Sequence, residues 1–516
     1  MESLQRSAIS FRRQGSSGYV WDDKFLADQF NKVANERKEE SSTSTTTEEN
    51  KEDPIPIATA AKKSPPPPAG LAIDRSRSNG GRGFRTGKVS PAVEPPSPRV
   101  SAFGCCGAFG KREKTRRRPP KSGKRVIGDG ITDDSKILQD VWKVACSMSS
   151  SPAKIVIPSG NSYLVNPTNL GGPCNSHVTL SISGTIVAPR EPEVWDAFDA
   201  LKWLYFHDVN DLTVEGDGAI NGMGQKWWDQ SCKRNKSHPC TNAPRAITFH
   251  KCNNLKIRDI TLVNSQKNHL VFTNCRHVAA SRLRVIAPSD SPNTDGVHIS
   301  ESTHVQLKDS TIATGDDCVS IVSNSTRISI NNVICGPGHG ISIGSLGKSK
   351  SSATVHDIVV DGVTMFDTEN GVRIKTWQGG SGYAQKIIFR NIKMRNVSNP
   401  IIIDQYYCDS SSPCANQTSA VSIDSISFRN IKGTSATEEA ITLSCSDSHP
   451  CKKLYLDDIE LVSLSGTAKS FCWKAYGTSS GLIRPPSCLS SPETIFLPNI
   501  KSEPTRVESD DDRASI

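Results

Sequence analysis

The chain has 516 residues, of which 35% are hydrophobic and 6% aromatic, and its formal net charge is +9. This length is sufficient to bury a large core of aliphatic side chains. No apolar run is long enough to span a bilayer, which excludes an integral helical membrane protein. A basic cluster at residues 111–125 carries much of the positive charge and contains no interleaved aromatic residues, so no nucleic-acid partner is expected.

Residues 1–124 differ in composition from the rest of the chain. They combine Ser/Thr/Glu runs, a proline tract and the basic cluster with few apolar residues, which predicts a disordered extension. The Ser-Pro dipeptides at Ser90 and Ser97 make these serines candidate phosphorylation sites for a proline-directed kinase. The alternative is that these serines have no such role, because Ser-Pro dipeptides are common in any disordered tail. The opening residues lack the apolar run of a signal peptide.

The character of the sequence changes at Gly128, where a turn-rich segment leads into residues 135–146. Apolar side chains recur there at helical spacing and predict an amphipathic helix. Such a helix would cover the open end of a repetitive fold. The predicted apolar face consists of Ile137, Leu138, Val141, Val144 and Ala145.

An internal repeat organises the second half of the chain. Its pattern is apolar, any, apolar, any, then Asp, Asn or a small residue, then apolar, and successive copies begin 23 to 39 residues apart. Units this short favour a parallel β-helix, an all-β solenoid in which each coil stacks about 4.8 Å above the last. We expect this domain over residues 125–490, followed by a disordered acidic tail at 491–516. The copies begin at Leu255, Val278, Val305, Ile328, Ile358, Ile387, Ile426 and Leu454.

Four polar constellations interrupt the alternating apolar runs between residues 293 and 375. Asp295 precedes Asp316 by 21 residues, and Asp317 precedes His339 by 22, which is close to the length of one coil. Coiling would therefore bring these side chains onto one face. The constellations are Asn293-Thr-Asp295, Gly315-Asp-Asp317, Gly338-His-Gly340 and Arg373-Ile-Lys375.

Crowded carboxylates with a histidine and an Arg-x-Lys pair fit hydrolysis of an acidic glycoside. One carboxyl group must donate a proton to the leaving oxygen while another activates water, and like charges in proximity raise one pKa. Arg373 and Lys375, two apart on a strand, would point to one side and hold a sugar carboxylate. The glycines beside His339 would leave room for a pyranose ring. The alternative is that the aspartates only form turns, which four motifs at coil spacing disfavour.

Cysteine usage indicates an oxidising compartment. Of sixteen cysteines, Cys105 and Cys106 lie in the extension, which leaves fourteen in the second half. None of the neighbouring pairs has the CxxC spacing of a zinc site, so we expect disulfides and no metal. The neighbours in sequence are Cys232 and Cys240, Cys252 and Cys275, Cys318 and Cys335, Cys408 and Cys414, Cys445 and Cys451, and Cys472 and Cys488.

From residue 128 to about 488, the chain resembles the plant polygalacturonases of glycoside hydrolase family 28. The resemblance rests on blocks at 291–299, 314–321, 335–347, 370–380 and 401–408, which contain the four constellations and the sequence Asp404-Gln-Tyr-Tyr407. It implies a right-handed, single-stranded parallel β-helix that hydrolyses α-1,4-galacturonosyl bonds of de-esterified pectin with inversion. It also implies a monomer that needs no cofactor and acts in the cell wall outside the cell.

The same resemblance assigns roles to the catalytic residues. Asp316 would be the general acid, Asp295 and Asp317 would hold and activate the water, and His339 would tune the acid.

It also assigns the substrate contacts. Arg373 and Lys375 would bind galacturonate, while Asn293 and Tyr407 would contact the sugar.

Residues 1–120 resemble plant MAP kinase substrate proteins, which act in the cytosol. This contrast with an extracellular enzyme suggests that two adjacent genes, or their transcripts, are joined in one chain. Two rival functions stay open at this point: a signalling scaffold governed by the extension, and a pectin-binding solenoid without activity. A non-catalytic solenoid would be expected to have lost one of the aspartates Asp295, Asp316 and Asp317, and all three are present.

Overall fold

The computed structural model describes residues 126–197, 201–410 and 414–491. The predicted extension at 1–124, with Ser90 and Ser97, lies outside these residues, as does the predicted tail beyond residue 491. None of the described helices has the length and apolar character needed to cross a membrane.

Strands dominate the described residues. The α-helices are α1 (Ser135–Ser147) and α2 (Gln225–Asp229), and 3-10 helices occupy Pro192–Ala197 and Lys348–Lys350. The first strands are β1 (Asp129–Asp133), β2 (Ala153–Ile157), β3 (Ser162–Leu164), β4 (Thr168–Gly171), β5 (Val178–Ile182), β6 (Thr185–Val187), β7 (Lys202–His207), β8 (Leu212–Glu215), β9 (Ala219–Asn221), β10 (Arg245–His250), β11 (Asn253–Arg258), β12 (Thr261–Val263), β13 (Leu270–Thr273), β14 (Arg276–Ser281) and β15 (Arg284–Ile286). They are followed by β16 (Val297–Ser300), β17 (Thr303–Ala313), β18 (Val319–Ile321), β19 (Ser325–Cys335), β20 (Ile341–Leu346), β21 (Ser352–Asp361), β22 (Thr364–Phe366), β23 (Asn370–Thr376), β24 (Ser381–Val397), β25 (Asn399–Asp404), β26 (Ser422–Ser435), β27 (Glu439–Ser444), β28 (Cys451–Ser463), β29 (Lys469–Trp473) and β30 (Ala475–Arg484).

These strands form two sheets within the described ranges, and neighbouring strands pair in parallel. The eleven-stranded sheet contains β4, β7, β10, β13, β16, β18, β20, β23, β25, β27 and β29, and the other nineteen strands form the second sheet. Each turn of the chain adds strands to both sheets, so the fold is the predicted parallel solenoid. Apolar side chains from both sheets meet in one continuous core between them.

The predicted repeat is confirmed residue by residue in the nineteen-stranded sheet. Leu255 lies beside Val278, Val278 beside Val305, and Val305 beside Ile328. The later copies continue this ladder through Ile358, Ile387, Ile426 and Leu454. Every copy of the repeat therefore begins at the same place on its coil.

The fifth residue of each repeat copy, which is usually Asp, Asn or Gly, lies at a corner of the coil. All eight copies have a left-handed backbone angle at this position, a region that Asn, Asp and Gly enter with less strain than other residues, and φ is 51° at both Arg282 and Asp309. Stacked corners also bond to each other, since Asn430 Nδ2 donates to Asn391 Oδ1 (2.9 Å) and Asn391 Nδ2 donates to Asp361 Oδ1 (2.8 Å). The other φ values are 61° at Asp259, 53° at Asn332, 65° at Gly362, 55° at Asn391, 47° at Asn430 and 51° at Asp458.

Helix α1 is present, and Leu138 and Ala145 of its predicted apolar face are buried, but the two valines of that face are not. Val141 and Val144 are 42% and 64% exposed, whereas Trp142 is 2% exposed. The indole of Trp142 donates to the carbonyl of Gly171 (3.0 Å) and packs edge-on against Phe206 (5.4 Å between centroids). Trp142 faces the core instead of the two valines because a tryptophan side chain buries more apolar surface and its indole N–H finds a hydrogen-bond acceptor there.

The disulfides agree with five of the six sequence neighbours. Within the described residues they join Cys232 to Cys240, Cys318 to Cys335, Cys408 to Cys414, Cys445 to Cys451 and Cys472 to Cys488. A further disulfide that was not predicted joins Cys146 of α1 to Cys174. The expectation for Cys252 and Cys275 is wrong, because both are free buried thiols on successive coils. Their environment is the dry core, where small apolar side chains also fit.

The corner at Asn391 provides a test of the fold. Asn391→Ala should destabilise the protein by about 1 kcal/mol or more, because alanine is strained at this left-handed angle. Asn391→Gly removes the same hydrogen bonds without that strain and should therefore unfold at a higher urea concentration than Asn391→Ala. At Lys256, an exposed β11 residue without a left-handed angle, the order should reverse, with glycine less stable than alanine. Equal behaviour of the two positions would contradict this account of the corners.

Candidate active site

The four predicted constellations meet on one face of the eleven-stranded sheet. Asp295 precedes β16, Asp317 precedes β18 and His339 precedes β20, while Arg373 and Lys375 lie within β23. The register places these strands side by side in that order. Residues far apart in sequence therefore become neighbours, as the coil spacing predicts.

The glycines beside His339 have a packing role in the solenoid. A Cβ atom at Gly340 would lie 2.0 Å from the carbonyl oxygen of Asn370 on the next coil. Gly338 and Gly340 also have φ angles of 155° and 78°. These glycines therefore let neighbouring coils approach and turn the backbone, and the space for a sugar ring stays a prediction.

Asp317 is a buried carboxylate bound by two cations. Its Oδ1 accepts hydrogen bonds from Arg373 Nη2 (2.8 Å) and Ser342 Oγ (2.7 Å), and its Oδ2 accepts one from Lys375 Nζ (2.9 Å). Burial alone would raise the pKa of Asp317, but the charges of Lys375 and Arg373 outweigh it and hold the pKa below its usual value. Asp317 is therefore ionised.

Asp316 and His339 form a hydrogen-bonded pair. His339 Nδ1 lies 3.0 Å from Asp316 Oδ1, and Asn293 Nδ2 donates to Asp316 Oδ2 (3.2 Å). Burial alone would raise the pKa of Asp316, but the hydrogen bond and charge of His339 bring that pKa well below its usual value. Burial alone would lower the pKa of His339, but Asp316 raises it, assisted by Glu369, whose Oε2 lies 3.3 Å from His339 Nε2. The proton of this pair therefore lies on His339.

Asp295 differs from the other two aspartates because, among the described residues, no Lys or Arg bonds to it and the histidine nitrogen near it, His298 Nδ1, lies 3.8 Å from its Oδ2. Its Oδ2 accepts a hydrogen bond from Ser320 Oγ (2.6 Å), and His298 Nδ1 lies 2.8 Å from the same hydroxyl. Burial and the charge of Asp316 raise the pKa of Asp295, against the hydrogen bond of His298. Asp295 thus holds a proton more readily than Asp316 or Asp317.

The remaining predicted contacts lie beside these aspartates. Arg373 and Lys375 are only 9% and 7% exposed, and both are engaged by Asp317. Tyr407 lies next to them, with its ring centroid 5.4 Å from Lys375 Nζ and edge-on to Trp377 at 5.6 Å. The cation pair therefore holds the catalytic carboxylate in place, and its contact with a sugar stays a prediction.

The donor atoms of Asp316, Asp317 and His339 lie within 4.8 Å of each other, a spacing that would also suit a metal ion. Both oxygens of Asp317 are already occupied by the nitrogens of Arg373 and Lys375, however. Positive charge at this point of the site thus comes from protein side chains.

Four contributors to the site were not predicted: His298, Ser320, Ser342 and Glu369. Three of them form one row with Arg373, because His298 pairs with Ser320, Ser320 with Ser342 and Ser342 with Arg373. For the three residues of this row, the signal in the sequence is a polar residue at an outward position of the strand that follows each of Asp295, Asp317 and His339.

Most of the chain is similar to known proteins. Residues 146–480 match the model of glycosyl hydrolases family 28, and residues 1–118 match that of a domain of unknown function, DUF4666. A probable polygalacturonase of Arabidopsis thaliana is 58% identical over 395 residues, which cover 75% of this chain and 88% of the relative. A polygalacturonase of Persea americana is 50% identical over 339 residues, which cover 66% of this chain and 72% of the relative.

Solved structures show the same fold. A polygalacturonase from Erwinia carotovora aligns with a TM-score of 0.57 at 22% identity, covering 71% of this chain and all of that one (100%). An endo-xylogalacturonan hydrolase from Aspergillus tubingensis aligns with a TM-score of 0.58 at 22% identity, covering 68% of this chain and 96% of that one. The family model that matches residues 146–480 and the relative that is 58% identical establish that the chain belongs to glycosyl hydrolase family 28.

Proposed function

We propose that this protein is a polygalacturonase that hydrolyses α-1,4-galacturonosyl bonds of de-esterified pectin, with inversion at the anomeric carbon. The observation that carries the proposal is that three adjacent aspartates have three different sets of partners. Asp317 is bound by Arg373 and Lys375, Asp316 pairs with His339, and Asp295 accepts a hydrogen bond from Ser320. These partners hold the pKa of Asp317 and of Asp316 below the usual value, whereas burial raises the pKa of Asp295. Groups with different affinities for protons are what paired acid and base catalysis requires.

Asp316 is the general acid in this mechanism, and His339 supplies its proton. In the unliganded site the two groups form an ion pair, which water and the surrounding charges stabilise. A bound sugar excludes water and lowers the local dielectric, which favours the neutral form of the pair with the proton on Asp316. Asp316 then donates that proton to the leaving glycosidic oxygen.

Asp295 and Asp317 hold and activate the attacking water. Asp317 stays ionised throughout because of its cations. Asp295 acts as the base in enzyme molecules in which it has released its proton to the solvent, and it then accepts one proton from the attacking water. Inversion requires the water to attack from the face opposite the leaving oxygen. The carboxylate of the sugar would be held by Arg373 and Lys375 where these remain exposed, with Asn293 and Tyr407 beside them.

We assign the enzyme to an extracellular, cell-wall setting. Its substrate is a cell-wall polysaccharide, and the disulfides within the described residues support an oxidising compartment. The proposals of a monomer and of a proline-directed kinase acting on Ser90 and Ser97 remain predictions from the sequence.

The role of Asp316 is tested by Asp316→Asn. The amide preserves the shape of the side chain but cannot donate the proton, so release of reducing ends from polygalacturonate should fall by at least about a hundredfold. The exposed control Asp196→Asn should retain full activity. Thermal unfolding of both variants verifies that the fold is kept, and a folded Asp316→Asn protein with more than about a hundredth of the wild-type rate contradicts the assignment.

A second substrate separates the acid from the water-activating carboxylates. An aryl galacturonide with a phenolate leaving group needs little help from an acid. Turnover of this compound should be partly retained in Asp316→Asn and lost in Asp295→Asn. The reverse pattern would make Asp295 the acid, in line with its raised pKa.

The pH dependence of the rate tests the histidine. Because the pair must carry its proton, activity is present below the raised pKa of His339 and is lost as pH rises through it. Glu369→Gln removes a negative charge that raises this pKa, so the alkaline limb of the kcat/KM profile should move to lower pH. Glu193→Gln, at an exposed site on the 3-10 helix Pro192–Ala197, should leave it in place. If the alkaline limb of Glu369→Gln stays in place or moves to higher pH, the proposal that His339 supplies the proton is contradicted.

A further inference from the structure

A loop before β10 contacts a distant part of the chain. The loop, which we call the strap, runs from Cys232 to Cys240 and is closed by the disulfide between these two cysteines. Lys233 of the strap forms an ion pair with Asp409, 176 residues further along the chain, with 2.5 Å between Nζ and Oδ1. The mechanism above gives no role to either residue.

The two ends of this ion pair come from opposite edges of the eleven-stranded sheet. The strap precedes β10, so it leaves the solenoid at the edge where the strands begin, whereas Asp409 follows β25 at the edge where they end. Five strands lie between β10 and β25, which separates these two strands by about 29 Å at the usual strand spacing. Lys233 precedes Arg245 by twelve residues, which can extend over about 40 Å. The strap is therefore long enough to cover this distance.

The path of the strap crosses the face of the sheet that carries the proposed catalytic residues. The other face of this sheet packs into the core, so the strap passes over the outer face. Arg234, the next residue of the strap, forms an ion pair with Asp290, which lies five residues before Asp295 in the loop between β15 and β16. Lys233 and Arg234 therefore connect the loops at the two edges of the sheet, and these loops are the walls of a groove over the aspartates.

The strap is firmly held at its base and weakly held at its far end. Trp228 of α2, just before the strap, is 2% exposed, and its indole donates to the carbonyl of Ser265 (3.1 Å). The disulfide between Cys232 and Cys240 restricts the strap itself. In contrast, the side chains of Lys233 and Asp409 are 39% and 47% exposed, and an ion pair in this setting contributes little to stability. The contact across the groove can therefore open while the base stays in place.

We propose that the ion pair between Lys233 and Asp409 is a latch that closes the strap over the groove and determines how a polymeric substrate enters. This proposal rests on the proposed function and concerns entry of the polymer, not cleavage of the bond. An internal segment of a polygalacturonate chain has no free end to pass beneath a closed strap, so it enters only when the latch opens. A short oligosaccharide has free ends at hand and enters while the latch stays closed.

Association is measured by stopped-flow tryptophan fluorescence in the Asp316→Asn background, where turnover does not interfere. The ligands are long polygalacturonate and trigalacturonate. Lys233→Gln and Asp409→Asn should each raise the association rate constant of polygalacturonate by about two- to fivefold, the range expected when an exposed ion pair is lost, and should leave that of trigalacturonate unchanged. Lys233→Asp combined with Asp409→Lys, which restores an ion pair with reversed charges, should return the rate constant to the value before the latch was broken.

A matched control lies in the strap itself. Lys236 is an exposed cation of the strap that has no ion pair among the described residues, and Lys236→Gln should change neither rate constant. Simple attraction of the anionic polymer predicts a different pattern, in which Lys233→Gln slows association and Asp409→Asn accelerates it, because one variant loses a cation and the other an anion.

Four outcomes would overturn the proposal. They are this opposite pattern, unchanged association of polygalacturonate in both single variants, an equal gain for trigalacturonate or in the Lys236→Gln control, and a charge-reversed pair that behaves like the single variants. Failure of the wild type to release reducing ends would instead contradict the proposed function, because association is measured without turnover.

Discussion

The ionised carboxylate of Asp317 is the group on which the rest of the site depends. A buried carboxylate loses its hydration, and removing one partner of such a pair typically destabilises a protein by about 3–5 kcal/mol. Its partners come from the next two strands of the sheet, Ser342 from β20 and Arg373 and Lys375 from β23. Three consecutive coils must therefore keep their register for Asp317 to stay charged. With this charge fixed, the proton affinities of Asp295 and His339 follow from burial and from their own neighbours.

The solenoid converts a sequence separation of 20 to 30 residues into one coil spacing of about 4.8 Å. This geometry explains how the proposed acid and base groups meet although they are far apart in sequence. A pectin-binding solenoid without activity would need only the cations. Binding alone would not require a proton held by the Asp316–His339 pair, nor would it require an aspartate with a raised pKa, such as Asp295. The arrangement therefore favours a hydrolase.

Much of the fold and the meeting of the proposed catalytic residues on one face could be predicted from the sequence. The repeat copies share one register, and Asp295, Asp316, Asp317 and His339 are spaced by single coils. Their hydrogen-bond partners could not be predicted, since an outward polar residue on a strand does not indicate which carboxylate it bonds. That Asp317 engages both Arg-x-Lys cations depends on side-chain directions that the spacing leaves open. The glycines beside the histidine have a packing reason that becomes visible only when the next coil is present. The free thiols were mispredicted for a related reason, because proximity in sequence and even adjacency on successive coils does not fix the geometry of a disulfide.

The central claim is that two carboxyl groups on opposite sides of the bond divide the acid and base roles, so that water replaces the leaving sugar directly. Such a displacement inverts the anomeric carbon, whereas a covalent intermediate would retain its configuration. Proton NMR of the first products released from oligogalacturonate, recorded before mutarotation, measures this outcome most directly. The account predicts that the new reducing end is formed as the β anomer. Initial formation of the α anomer would contradict it.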